Sequence, residues 1–445
     1  MKKYIVSCCF LLLTLGLQAQ NKWTLRECID YAIENNIEIK QQYLSVKNSE
    51  VDLSTSKNSR LPDLSGSAGQ NFNFGRTASA ATGVYEANSA STTNFGLSSS
   101  TPIFTGFRIP NEIKMYELNL LAATEGLKKA KENLELQVTS LFLDVLFKKE
   151  ILKVYQEQIK LSKVQVERTQ ALVDAGKVPA SQLYDIKAQL AKDELNATVA
   201  ENDLDLSSLN LAQALNLLDA KDFDVAEPIL GDVIGDNISS ILPADQIYQV
   251  AVVSRPHVKE AEYKVESSKR NLKVAQSGYW PTIDLGLSYN NGFDHIYKSE
   301  YDNKSISEQL KNNSREVIGL TLRVPLFNRF QTRNQVRGAR INIENRELEL
   351  DNVKLALFKE IQQAYQSAVA AQSKFSSTEI ALEASQESFN YAQERYDIGK
   401  STVFEFADAQ TKLLTSRSEQ IQAKYDFLFR AKILDFYRGT KIDIK

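Results

Sequence analysis

Tyr396-Asp397-Ile398-Gly399-Lys400-Ser401-Thr402-Val403-Phe404-Glu405-Phe406-Ala407-Asp408-Ala409-Gln410 reads as a turn between two helices. Gly399 supplies the left-handed residue that ends the first helix, and Glu405 and Asp408 then fall three apart on one face of the second. A weaker version lies upstream, Ala175-Gly176-Lys177-Val178-Pro179-Ala180-Ser181-Gln182-Leu183-Tyr184-Asp185-Ile186-Lys187. Gly176 and Gly399 are 223 residues apart in a chain of 445. That offset makes the chain an inexact tandem repeat.

Working outward, Thr101-Pro102-Ile103-Phe104-Thr105-Gly106-Phe107 answers to Val324-Pro325-Leu326-Phe327-Asn328-Arg329-Phe330 at the same offset, and Asn111 to Asn334. Farther upstream the offset becomes 219, with Ala32 matching Ala251 and Leu61-Pro62 matching Trp280-Pro281. The four-residue difference therefore falls between the two matched prolines of each half, where a loop absorbs it. Each half reads helix, strand, loop, strand, long helix, turn, long helix. The expected divisions are a leader at 1–20, a first repeat at 21–218, an irregular linker at 219–243, a second repeat at 244–438 and a tail at 439–445. The linker follows from Pro228, Gly231, Gly235 and Pro243.

The first helix is expected from Thr24, an N-cap with Glu27 in the capping-box position, toward Arg60, where Leu61-Pro62 stops it. Residues 64–75 and 93–104 alternate loosely around a Ser, Ala and Thr-rich loop from Arg76 to Thr92. In the second half the alternation is cleaner. Ile283, Leu285, Leu287 and Tyr289 share one face, as do Ile318, Leu320, Leu322 and Val324, with the polar segment Asp294 to Ser314 between them. Such ~10-residue alternating segments suit membrane barrel strands. Four strands cannot close a conducting barrel, because even ~8 strands fill with their own side chains, so subunits must pool them.

Long helices are expected at 111–175 and 331–398, free of proline, and ~65 residues of helix span ~100 Å. Return helices are expected from Ser181 to Leu217 and from Thr402 to Tyr437. Leu134, Val138, Leu141, Val145, Leu152, Tyr155 and Ile159 keep a heptad spacing broken by Lys148. Their copies are Leu357, Ile361, Ala364, Ala368, Phe375, Thr378 and Leu382. Seams only partly apolar suit helices packed side by side in a wall with one wet face.

Met1-Lys2-Lys3 followed by the apolar run Tyr4 to Leu17 is expected to be a secretory signal cleaved near Ala19 or Gln20. Its removal leaves 51 Lys and Arg against 56 Asp and Glu, so no basic excess points to nucleic acid. Cys8 and Cys9 leave with the signal, and Cys28 alone cannot form an intramolecular disulfide. His257 and His295 stand outside any cluster of ligand spacing, which argues against a metal site and histidine catalysis. Gly399-Lys400-Ser401 lacks the glycine a phosphate loop needs five positions earlier, where Glu394 stands. No cofactor and no enzymatic activity are expected.

In order and spacing, these features resemble the TolC-like outer-membrane efflux proteins over nearly the whole mature chain. The resemblance implies a mainly α-helical chain with a membrane β-barrel. Tandem long helical hairpins would form a trimeric α-barrel, and four strands per subunit a 12-stranded barrel in the outer membrane of a Gram-negative bacterium, with the helices in the periplasm. It also implies a passive exit duct of a tripartite efflux or type I secretion system, with a periplasmic adaptor, an inner-membrane pump and outer-membrane lipid as partners. The family's tip gate maps onto Tyr396, Glu405, Asp408 and Asp185, and the adaptor contacts onto Gly176, Lys177, Val178, Gly399, Lys400 and Ser401. Three-fold symmetry would gather three copies of each carboxylate and raise some of their pKa values.

Two departures stand out. The family's latch arginine falls at Ser401 and its acidic partner in the first hairpin at Gln182, which leaves Lys400 and Arg395 as the basic residues from which a different lock could be built. Two rivals from other classes remain at this stage. One is a soluble periplasmic coiled-coil scaffold without a pore; the other is a ligand-binding lipoprotein acylated at Cys8.

Overall fold

The structure, a computed structural model, describes residues 22–78, 83–87, 89–217, 223–228, 242–297 and 304–442. The expected leader at 1–20 lies outside them, as does most of the expected linker at 219–243. In chain order the elements are α1 (Leu25–Asn35), α2 (Ile37–Asn58), β1 (Ser65–Asn73), β2 (Arg76–Ala78), β3 (Tyr85–Ala87), β4 (Ser89–Phe104), α3 (Arg108–Asp174) and α4 (Ala180–Ala214). The second half follows with α5 (Ala244–Ser254), α6 (Pro256–Gln276), β5 (Thr282–Tyr297), α7 (Ile306–Asn312), β6 (Arg315–Arg323), α8 (Gln331–Asp397) and α9 (Val403–Tyr437).

The duplication is kept to the residue. α3 and α8 each have 67 residues, α4 and α9 each have 35, and both pairs are offset by 223. At the amino-terminal end of each repeat the offset is 219, as for α1 with α5.

Thr24 caps α1 with both halves of the box in place. The single helix expected from there toward Arg60 is in fact two. Asn36 leaves the helical region at φ −61°, ψ 132°, and its Oδ1 accepts from the Glu38 and Ile39 N–H groups at 2.8 and 3.3 Å, so one residue ends α1 and caps α2. Arg255 makes the equivalent break at φ −69°, ψ 132°, and Pro256 opens α6 with a ring suited to a first helical turn.

The four long strands form one antiparallel sheet in the order β1-β4-β5-β6, so β1 and β6 are its edges. The expected loop from Arg76 to Thr92 contains the separate hairpin β2–β3 and the start of β4, and the expected polar segment from Asp294 contains the end of β5 and α7. Register places Leu285 opposite Leu320, Ile283 opposite Leu322 and Leu287 opposite Ile318 on one face. On that face Ile318 and Leu320 are 79% and 72% exposed. The opposite face pairs Gly286 with Gly319, Ser98 with Ser288, and Gly96 with Asn290. One sheet thus carries an aliphatic face and a face of glycine, serine and asparagine.

Two compact units emerge, and each draws on both repeats. One comprises Met1–Leu44, Glu125–Lys259 and Asn352–Lys445; the other comprises Ser45–Thr124 and Glu260–Asp351 and holds the sheet. In the first unit, Cys28 and Ile29 of α1 bury against Val138 and Phe142 of α3, Leu211 of α4 and Leu428 of α9. Burial pushes the Cys28 thiol up to about 12, so it stays protonated and inert. In the second unit, Phe104, Phe107 and Trp280 stack edge to face, as do Phe327 and Phe330. All but Phe104 stay more than half exposed, so these rings pack on one another and still offer a surface.

Candidate functional site: the two helical tips

Both hairpins turn by the same device. Gly176 and Gly399 have φ of 69° and 71°, which a side chain resists. In the first turn the Gly176 N–H donates to the Val173 carbonyl at 2.8 Å and the Lys177 N–H to Leu172 at 2.9 Å. In the second, Gly399 donates to Tyr396 at 3.0 Å and Lys400 to Arg395 at 2.8 Å. These paired bonds satisfy the carbonyls that a helix end leaves open. Gly176, Lys177, Gly399 and Lys400 are exposed, while Val178 and Ser401 are half-buried.

Past the turn the copies diverge. Thr402 caps α9: its Oγ1 accepts from the Glu405 N–H at 3.2 Å, while Glu405 Oε2 accepts from the Thr402 N–H at 3.2 Å. The Ser401 hydroxyl donates to the same oxygen at 2.7 Å. The equivalent residues in the first hairpin are Pro179 and Gln182, and Pro179 makes no side-chain cap. The hydrogen bond from Ser401, then that from the Thr402 backbone, hold the Glu405 carboxyl below the ordinary carboxylate value. Within one chain this opposes the rise expected from a three-fold ring, a rise that depends on neighbouring copies.

Asp408 pairs with Lys412 of its own helix at 2.7 Å. Glu405 and Asp408 therefore share a helix face without bonding to each other. Asp185 is exposed at the mouth of a cavity of about 320 Å³, lined also by Gln165, Ile186, Phe404, Phe406 and Gln410. Tyr396 stacks on Phe406, ring centroids 4.9 Å apart and planes 22° from parallel, inside a cluster with Phe389, Ala409 and Leu161. Its ring is thus a packing element of the second tip. Arg395 donates to the Lys400 carbonyl at 3.4 Å and so braces the turn from within.

Three features escaped the reading of the sequence. Arg168 of α3 forms an ion pair with Asp397, the last residue of α8, and its second terminal nitrogen donates to the Asp397 carbonyl at 3.3 Å. Gln158, Ser162, Gln165 and Thr169 form a buried polar stripe on α3. Asp193 of α4 is fully buried beside it, accepting from Ser162 at 2.5 Å, Gln158 at 3.1 Å and Gln189 at 2.8 Å. The one available signal was the spacing of the stripe, four, three and four residues, which is that of a helix face. Among the described residues no group of three or more His, Cys, Asp or Glu side chains is placed to hold a metal ion.

The family model described as outer membrane efflux protein matches residues 28–217 and 247–439. The outer membrane efflux protein BepC of Brucella suis biovar 1 is 22% identical over 419 residues, covering 92% of this chain and 84% of that one. The outer membrane protein TolC of Escherichia coli is 20% identical over 319 residues, covering 70% of this chain and 62% of its own. Among solved structures, CusC superposes with a TM-score of 0.79 at 17% identity, over 96% of this chain and 95% of that one.

Proposed function

The chain belongs to the outer membrane efflux protein family, and from that premise we propose that it is the channel subunit of an efflux or type I secretion system, a passive exit duct with its strands in the outer membrane and its helices in the periplasm. The observation that carries this over a soluble scaffold is the sheet. An antiparallel sheet with exposed Ile318, Leu320 and Leu322 on one side, and Gly286, Gly319, Ser288 and Asn290 on the other, has a face for lipid and a face for water. A soluble hairpin pair would instead bury its aliphatic face.

The chain works as a homotrimer in this reading. Edge strand β6 of one subunit pairs with edge strand β1 of the next, giving twelve strands. The turns at Gly176-Lys177-Val178 and Gly399-Lys400-Ser401 meet a periplasmic adaptor that links the duct to an inner-membrane pump. Tyr396, Glu405, Asp408 and Asp185 form the gate in this reading: the carboxylates supply a cation-attracting ring, and Tyr396, stacked on Phe406, fixes the helix that carries Glu405 and Asp408. The exposure of Glu405, Asp408 and Asp185 supports this assignment. The energy for transport comes from the pump.

The test is single-channel conductance in planar bilayers of the detergent-purified protein, wild type against E405Q/D408N. Glutamine keeps the capping box and removes the charge, so folding of the tip is spared. A small cation-selective conductance that loses selectivity in the variant is the expected result. An unchanged selectivity would remove these residues from the gate, and extraction of the protein from membranes by high salt alone would favour the scaffold.

A further inference from the structure

The cavity beside Asp185 is walled by three helices of one compact unit, with Gln165 from α3, Asp185 and Ile186 from α4, and Phe404, Phe406 and Gln410 from α9, and its volume is about 320 Å³. Two polar groups of that wall are unsatisfied. Gln165 and Gln410 are 4% and 5% exposed, and the Oε1 of the first and the Nε2 of the second are buried without a hydrogen-bond partner. One lacks a donor and the other lacks an acceptor. The deficit thus has both signs, and it sits on two helices that face one space.

We propose that this cavity is a binding site for a small aromatic carboxamide, whose amide donates to Gln165 and accepts from Gln410 while its ring lies against Phe404 and Phe406. The volume falls at the lower end of the ~300–1,000 Å³ range of small-molecule sites, which suits one ring with short substituents. An amide carries a donor and an acceptor in one rigid plane, the pair that the two glutamines lack. The last torsion of a glutamine side chain is soft, so a small rotation turns each terminal amide toward the cavity. Making both bonds relieves a desolvation penalty that the empty site carries, so they favour the ligand more than bonds to groups already paired.

Water fills the role less well, because a bound water needs several polar partners and Ile186, Phe404 and Phe406 offer it none. Asp185 and Phe404 are exposed, so a ligand reaches the cavity without unfolding the seam, and a cationic substituent on its ring would meet the Asp185 carboxylate. The site belongs to this seam alone. The positions 223 away from Gln165 and Gln410 are Ser388 and Lys187, so the other copy of the repeat has no such pair of amides. Because it needs only the packed helices, the site stands whether or not the chain conducts.

The test is binding of benzamide, aminomethylbenzamide and benzoate to the detergent-purified full-length protein, read by saturation-transfer NMR of the ligand and by the shift in thermal unfolding. Benzoate keeps the ring but has no donor for Gln165 and meets Asp185 with like charge. The expected order of affinity is aminomethylbenzamide, then benzamide, then benzoate. Gln165→Met and Gln410→Met nearly keep the side-chain volume and each removes one amide; each is expected to weaken benzamide about five- to tenfold, with folding checked by the same melts. Asp185→Asn is expected to remove the preference for the amine. Benzoate bound as tightly as benzamide, or benzamide affinity unchanged in both methionine variants, would overturn the site. So would the absence of binding by every probe at millimolar concentration, which would leave the cavity to water.

Discussion

The two tip hairpins have the same lengths and the same turn hydrogen bonds, yet their interiors differ in kind. Between α3 and α4 the seam is Gln158, Ser162, Gln165, Thr169 and Asp193, all buried. The residues 223 positions on, between α8 and α9, are Ala381, Ser385, Ser388, Ala392 and Ser416, beside Phe389 and Phe406. Ser162–Asp193 at 2.5 Å becomes Ser385–Ser416 at 2.9 Å. Backbone geometry is fixed by glycine and by helix length, so it survives while the interior changes. The second hairpin is held mainly by shape and the first by hydrogen bonds, some of them unmade: Gln165 Oε1 and Thr169 Oγ1 of α3 are buried without a partner, against Gln410 Nε2 in the second hairpin. Such groups cost about 1–3 kcal/mol each, so the first seam is the one that gains from rearrangement or hydration.

The sharpest way to break the comparison is to empty the apolar seam. Phe406 is 2% exposed and stacks on Tyr396 and Phe389. Phe406→Ala should cost about 3–5 kcal/mol, and its first-hairpin equivalent, Leu183→Ala, about 2–3. Thermal unfolding in detergent, with hydrogen exchange to locate the loss, checks both. Equal losses, or a loss confined to the first hairpin, would erase the distinction.

Next comes the polar seam. Asp193→Ala leaves Ser162, Gln158 and Gln189 without their acceptor and should cost about 3 kcal/mol, because several buried donors are orphaned at once. Ser416→Ala removes one neutral bond, worth about 1 kcal/mol. Here too hydrogen exchange should place the larger loss in α3 and α4. If the two substitutions cost the same, Asp193 is not the keystone of its seam.

How much of this was legible in the sequence depends on range. The repeat, both turns and the four long helices were readable because glycine, proline and periodicity act locally; α3 begins at Arg108 against an expected start near Asn111. The alternation of β5 and β6 was readable for the same reason. The break at Asn36 was not, since asparagine is tolerated inside helices, although Arg255-Pro256 marks the same break in the second half. The heptad traced from Leu134 holds through Val145, but the buried stripe then runs through Val154, Gln158, Ser162, Gln165 and Thr169. A rule that equates burial with apolarity cannot follow it there. Arg168 and Asp397 are 229 residues apart and only tertiary packing joins them. For Glu405 the structure adds a local duty that its place on a helix face did not announce, the cap of α9.

That cap permits a smaller comparison. Thr402→Ala should cost the second tip about 1 kcal/mol. Pro179→Thr gives the first hairpin a Thr-x-x-Gln box with Gln182, and should stabilise it by a few tenths of a kcal/mol after the loss of proline's rigidity. Protection of the first turn of α9 should fall in one variant, and that of α4 should rise in the other. A Pro179→Thr protein with no added protection would mean that something other than the cap orders the first tip.

The smallest effect is a pH dependence that only the second tip should show. Glu405 has its pKa lowered from 4.5, first by the Ser401 hydroxyl and then by the Thr402 N–H. The unfolded tip therefore holds its proton more tightly than the folded one. The stabilisation is fully present above about pH 4.5 and is lost as the pH falls through the depressed folded value. Wild type and E405Q, compared by hydrogen exchange of residues 403–406, should differ at neutral pH and converge in acid, because a protonated Glu405 bonds much as glutamine does. The first tip, with Gln182 in the equivalent place, should be indifferent to the same titration. A gap between wild type and E405Q that persists unchanged to low pH would show that the Glu405 charge does not act through the cap, and would leave only the ring proposed for it.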